Sequence, residues 1–173
     1  SHFTGSRPPI EEALDFLATQ EGHPDNVVAA MLGGVTAGTR TTEGFRSIRF
    51  DAPHRLRVAL CIPAIEVQTA VARSVLPAAY PRADAVFNGN RLAFLVHGLV
   101  TGDPSSLRIG QEDRLHQPYR RHLIGPVDEV IAAATAAGAA SAFVSGSGST
   151  MAAFVLDDAL DARAVAEAMA QPF

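Results

Sequence analysis

Apolar residues recur at Ile10, Ala13, Leu14, Leu17 and Ala18, one stripe of a 3.6-residue period, which predicts a helix over residues 10–20. After the polar turn Glu21-Gly22-His23-Pro24, Asp25 suits the N-cap of a second helix carrying Val27, Val28, Ala30, Met31 and Leu32 and stopped by Gly33-Gly34. The pattern then turns to β-branched residues and short alternation, predicting strands over 35–42, 45–50 and 57–62, the last closed by Pro63. Helical spacing returns over 66–76, with Val67, Ala70, Val71, Ser74 and Val75 on one side and Glu66, Thr69 and Arg73 on another. Further helices are predicted over 83–99 and 127–137, with a shorter one over 106–115, and His116 to Arg121 reads as a loop. Residues 142–145 and 151–156 read as a strand pair joined by Gly146-Ser147-Gly148-Ser149-Thr150, and 160–170 as a closing helix. Residues 1–9, with Gly5, Pro8 and Pro9, read as a flexible lead-in.

Strands, then helices, then a hairpin and a helix define an α+β architecture, a largely antiparallel sheet covered by helices. No internal repeat is visible. At 173 residues, 47% apolar and 18% charged, the chain has enough apolar surface to bury a core and is not disordered. The net charge of −4 repels a phosphate backbone, so nucleic acid is not an expected partner. No apolar run approaches the roughly 20 residues of a membrane span, so no membrane partner is expected either. All 14 basic residues are arginine, which excludes Schiff-base chemistry and a P-loop lysine within this chain. The single cysteine, Cys61, sits among Val58, Ala59, Leu60 and Ile62 like a core residue and points to a reducing, cytoplasmic setting.

Three places carry candidate chemistry. The turn from Glu21 to Asn26 gathers two carboxylates, an imidazole and an amide between helix ends, a set suited to metal ligation, hydrogen bonding or anion capture. The same residues read equally well as a helix cap beside solvated side chains. The Ser145 to Thr150 segment can form an anion-binding nest of backbone N–H groups around Gly146 and Gly148, or a plain strand connection. Arg73 and Arg120 offer planar forks that match a carboxylate or phosphate, although helix arginines are mostly solvated. No G-x-S-x-G elbow supports a serine hydrolase.

Taken together, Glu21-Gly-His-Pro-Asp-Asn26 before Gly33-Gly34, Thr69-x-x-x-Arg73-x-x-Leu-Pro77, His116-x-Pro-Tyr-Arg120 and Ser145-Gly-Ser-Gly-Ser-Thr150 resemble the homoserine kinases of the GHMP superfamily of small-molecule kinases. The resemblance runs over nearly the whole chain from Ile10. It implies transfer of the ATP γ-phosphoryl group to the hydroxyl of L-homoserine, with Mg²⁺, in threonine biosynthesis. It implies a ferredoxin-like C-terminal domain over residues 39–173, preceded by helices over 10–38 that belong to the ATP-side domain. By position, Glu21 would be the Mg²⁺ ligand. His23, Asp25 and Asn26 would meet the amino and hydroxyl ends of the substrate, with His23 a rival choice of general base. Arg73 and Arg120, beside Thr69, would hold the α-carboxylate, and Gly146, Ser147 and Gly148 would shape the loop near the phosphates.

The sequence departs from the family at Ser149, where a proline is common, and in having no counterpart of the P-x-x-x-G-L-G-S-S-A-A nucleotide loop before Ile10. The chain is therefore expected to be an incomplete fragment, inactive alone as a kinase. A final strand expected after the closing helix is likewise absent, and the open sheet edge, with the family's habit of dimerising, makes a homodimer an expected assembly. The alternatives are another GHMP-type kinase, such as a mevalonate-type enzyme, and a non-catalytic binding module that keeps the arginine clamp.

Overall fold

The computed structural model describes residues 9–21 and 25–173. The chain divides into two units, Ser1–Ala52 and Pro53–Phe173. In the first, α1 (Ile10–Glu21) and α2 (Asp25–Leu32) precede an antiparallel hairpin of β1 (Val35–Thr41) and β2 (Gly44–Phe50), in register from Val35↔Phe50 to Thr41↔Gly44. Leu14 and Ala18 of α1, Val28 of α2 and Phe45 of β2 form its core. Leu14 and Ala18 come from the stripe that predicted α1.

The second unit holds β3 (Arg57–Cys61), α3 (Thr69–Ser74), α4 (Arg82–Thr101), α5 (Pro104–Gly110), α6 (Gln117–Ile124), α7 (Val127–Ala136), β4 (Ser141–Val144), β5 (Met151–Val155) and α8 (Ala162–Ala170). Its sheet is antiparallel in the order β3-β5-β4, so β3 and β4 run parallel on either side of β5, a split β-α-β arrangement. Ala59, Ala142, Val144, Ala153 and Val155 are buried with Val127, Val130 and Ala134 of α7 and Val165 and Met169 of α8. Each fully buried Val or Met there contributes about 1.5–3 kcal/mol of burial free energy. Around Leu107 of α5, a second cluster joins Ala140 and Leu156. Cys61 is buried; burial pushes its thiol pKa up, and its Sγ lies 3.6 Å from the Met169 carbonyl oxygen, as a structural cysteine would.

The α+β class and the antiparallel pairing agree with the sequence reading. The three consecutive strands, however, fall into two sheets. Among the described residues β1 and β2 pair only with each other, and they pack on α1 and α2 within the first unit. The expected loop at His116 to Arg121 is the helix α6. Helix α3 is shorter than the predicted 66–76; it buries Ala72 and leaves Val71 exposed, while Val67, ahead of its first turn, packs against the core. No helix among the described residues is long and apolar enough to cross a membrane.

Candidate active site

In the second unit α3, α6 and the β4–β5 loop are tied together by one guanidinium. Arg120, on α6, donates from Nε to the Ala72 carbonyl oxygen of α3 at 3.1 Å and from Nη1 to the Gly146 carbonyl oxygen at 2.9 Å. Ala72 is the neighbour of Arg73, so these bonds bring two of the sequence-predicted arginines and the glycine loop into one region. Ser149 Oγ donates to the Ile65 carbonyl oxygen, fastening the loop to the segment before α3 as well.

The two arginines differ in what they have left to offer. Both Nε and Nη1 of Arg120 are spent on backbone carbonyls, leaving Nη2 for a ligand. Arg73 is exposed, and among the described residues its guanidinium makes no hydrogen bond or ion pair, so its whole fork is open. Thr69, at the start of α3, is exposed one turn before it.

A polar knot holds α6 in place. The Asp113 carboxylate accepts from the backbone N–H groups of Leu115 at 3.1 Å, His116 at 2.8 Å and Gln117 at 2.6 Å, and from Asn88 Nδ2 at 2.6 Å. It thus satisfies N–H groups that a helix start would otherwise leave open. Burial raises the Asp113 pKa, but the Asn88 amide and these backbone donors outweigh it and hold the carboxyl below its ordinary value. Gln117 Oε1 then accepts from the Val144 N–H at 3.0 Å, joining α6 to the outer edge of β4. Burial pushes the His116 pKa down, with Asp113 opposing and Arg120 assisting, which favours the neutral imidazole. The Tyr80 hydroxyl donates to the Leu115 carbonyl oxygen at 2.6 Å and its ring meets Tyr119 edge-on.

These shifts have a sign that can be tested. His116, whose folded pKa lies below the ordinary 6.5, resists a proton that the unfolded chain accepts, so stability falls as pH drops below 6.5. Asp113, whose folded pKa also lies below its ordinary 3.8, contributes stability above that value and loses it as pH falls through the folded pKa. Thermal melts should show the first loss below pH 6.5, and His116→Asn should remove it. An unchanged loss in that variant would assign it elsewhere.

The β4–β5 loop is a tight turn. Gly148 donates its N–H to the Ser145 carbonyl oxygen at 3.0 Å, and Ser145 donates to Thr150 at 2.9 Å. The Gly148 N–H is therefore engaged inside the loop, which narrows the nest reading. Gly148 itself is required: its φ is +84°, and a Cβ there would lie 2.6 Å from Ile124 Cδ1. Ser147 Oγ lies 3.4 Å from the Gly148 carbonyl oxygen, and Gly146 is exposed.

In the first unit, Glu21 ends α1, and Asp25 and Asn26 begin α2; all three are exposed. His23 lies outside the described residues. Among the described residues no group of three or more His, Cys, Asp or Glu side chains gathers as a metal site. A lone Glu21 carboxylate still fits Mg²⁺, which commonly binds through one or two carboxylates together with substrate phosphates. Sequence reasoning missed Asp113 and Gln117. The available signal was Asp113 upstream of Pro118, an acceptor followed by a proline in the first helical turn.

Residues 95–173 match the family model described as GHMP kinases C terminal. The relatives are more particular. The chain is 39% identical over 147 residues to a homoserine kinase of Clostridium kluyveri, covering 85% of this chain and 49% of the relative. It is 45% identical over 149 residues to a homoserine kinase of Nostoc sp., covering 86% and 49%. A crystal structure of homoserine kinase from Cytophaga hutchinsonii superposes with a TM-score of 0.86 at 30% identity, over 98% of this chain and 55% of that one. The chain spans about half the length of the curated relatives it matches.

Proposed function

We propose that the protein carrying this chain is a cytoplasmic, ATP-dependent kinase that phosphorylates the side-chain hydroxyl of L-homoserine, a step toward threonine. The observation that carries the reading is the unpaired fork of Arg73 beside the anchored Arg120, in a chain similar to several homoserine kinases. Arg73 takes both oxygens of the substrate α-carboxylate, and Arg120 adds a donor through Nη2. The resemblance assigns the amino and hydroxyl ends to His23, Asp25 and Asn26. Gly146, Ser147 and Gly148 shape the loop near the phosphates.

Phosphoryl transfer asks mainly for positioning and charge stabilisation, so residues that orient the hydroxyl suffice and no strong base is needed. In a loose transition state the hydroxyl proton leaves late and passes to the transferred phosphate. Glu21 would hold Mg²⁺, which when bound neutralises charge developing on the phosphate oxygens. Comparing turnover of L-homoserine and mevalonate, each with ATP, tests the substrate. The reading predicts a kcat/KM for homoserine at least about 100-fold higher, the discrimination expected when a site's polar groups lose their partner. Equal turnover would reassign the protein to another kinase of the superfamily, and homoserine binding without ATP turnover would make it a binding module.

A further inference from the structure

Helix α6 has a second face. Arg120 looks toward Ala72 and Gly146, whereas Gln117 and Arg121 border a cavity of about 410 Å³ that also reaches the end of α5, the start of β4, and α7. Most charges on its wall are neutralised within the domain. Glu112 pairs with Arg91 at 2.7 Å, Arg114 with Asp84 at 3.3 Å and Arg121 with Asp128 at 2.5 Å, while Asp113 is held by amide donors. The Asp113 carboxylate is occupied by its amide donors, whereas among the described residues the Arg108 guanidinium has no hydrogen bond or ion pair, so this cation of the wall is open to a ligand.

Two further donors meet that charge. Ser141 is only 5% exposed and lines the cavity, yet its buried Oγ has no hydrogen-bond partner. A buried hydroxyl without a partner is costly, so a site that keeps one has a use for it. The Val144 N–H points away from β5, because it donates to Gln117. In an antiparallel ladder the residue two back points its N–H the same way, and that residue, Ala142, also lines the cavity. A free guanidinium, an unpaired hydroxyl and an edge amide form a donor set for an oxyanion, and the volume suits a small metabolite.

We propose that this cavity is a binding site for a small molecule bearing a carboxylate or phosphate group, held by Arg108, Ser141 and the Ala142 N–H, beside the Gln117 and Arg121 face of α6 that adjoins the Arg120 face. Arg108 also borders a second cavity containing Asp157 and Asp158, with which it makes no ion pair. Those carboxylates repel an anion, so the ligand lies on the Ser141 side.

Titration of the full chain with malonate, and separately with inorganic phosphate, followed through backbone amide NMR signals, tests this. The proposal expects saturable shifts at Ala142 and Ser141 with a Kd on the order of 1 mM or tighter for at least one probe. The probe that binds identifies the oxyanion. Arg108→Met should weaken binding at least about tenfold, the loss of one charge-assisted contact, and Ser141→Ala several-fold, both with unchanged folding as judged by the remaining spectrum. Absence of saturation with both probes up to about 50 mM, far weaker than such a donor set should give, overturns the proposal. Shifts that survive Arg108→Met overturn it equally.

Discussion

In the whole protein that carries this chain, the proposed function predicts that replacing Arg73 by alanine raises the KM for L-homoserine roughly 30- to 100-fold, the loss of one bidentate charge-assisted contact. The melting temperature should stay unchanged, because the Arg73 guanidinium has no partner among the described residues. Arg120→Ala is the informative contrast. It removes the Nε and Nη1 bonds that tie Ala72 of α3 to Gly146 of the loop, so it should lower stability by about 1–2 kcal/mol as well as weaken the substrate. Steady-state kinetics with thermal melts of both variants check the pair. Equal stability losses would show that Arg73 is structural, and equal stability retention would show that Arg120 is not the tie described.

The second large effect is predicted far from any substrate. Gly98 of α4 and Gly110 of α5 mark the closest approach of those helices. A Cβ on Gly110 would lie 2.5 Å from both Leu95 Cα and Leu95 N, and one on Gly98 would lie 2.7 Å from Leu107 N. Those are backbone atoms of packed helices, so the clash is relieved only by moving a helix. Gly110→Ala should therefore cost about 2–3 kcal/mol and lower the melting temperature by roughly 8–15 °C, despite a helix-propensity gain of up to about 1 kcal/mol. Gly89→Ala is the control. It lies in the same α4 with nothing within 4 Å of its added Cβ, so there the propensity gain stands alone and stability should rise by about 0.5–1 kcal/mol. Differential scanning calorimetry of the two variants should give shifts of opposite sign; shifts of the same sign would contradict the close packing of α4 on α5.

Much of this fold is readable where a pattern is set by the element's own burial. The stripe Val127, Val130 and Ala134 predicts α7, and those residues are buried. The apolar runs flanking the Gly146 to Thr150 loop predict the β4–β5 hairpin, which the register confirms. Helix α6 escapes such reading because Gln117-Pro-Tyr-Arg-Arg-His carries little apolar signal. Its stability comes from Asp113, which holds its first N–H groups, and from Gln117, which bonds the edge of β4. Both are tertiary arrangements that local spacing does not encode. The separation of the strands into two sheets escaped for a related reason: strand propensity marks β1 and β2 but not which sheet they join.

The candidate site was legible by residue type and not by role. Arg73 and Arg120 stand out as arginines in a chain without lysine. That one is open and the other anchored depends on carbonyl partners 48 and 26 residues from Arg120. Asp25 and Asn26 at the start of α2, and Glu21 at the end of α1, were likewise visible as polar residues between helices. The sequence stripe at α3 was only partly informative: Val67 packs against the core as its face predicts, but the residue buried within the helix is Ala72, which lies on neither assigned face.

The central claim is that the Arg73 fork recognises a carboxylate on the substrate. The most direct measurement pairs L-homoserine with its carboxylate-free analogue, 2-aminobutane-1,4-diol, and compares kcat/KM for each in the unmodified protein and in Arg73→Ala. The account predicts that the unmodified protein prefers L-homoserine by at least about 30-fold and that the variant loses nearly all of that preference, since the contact responsible is gone. A preference that persists undiminished in Arg73→Ala would contradict it.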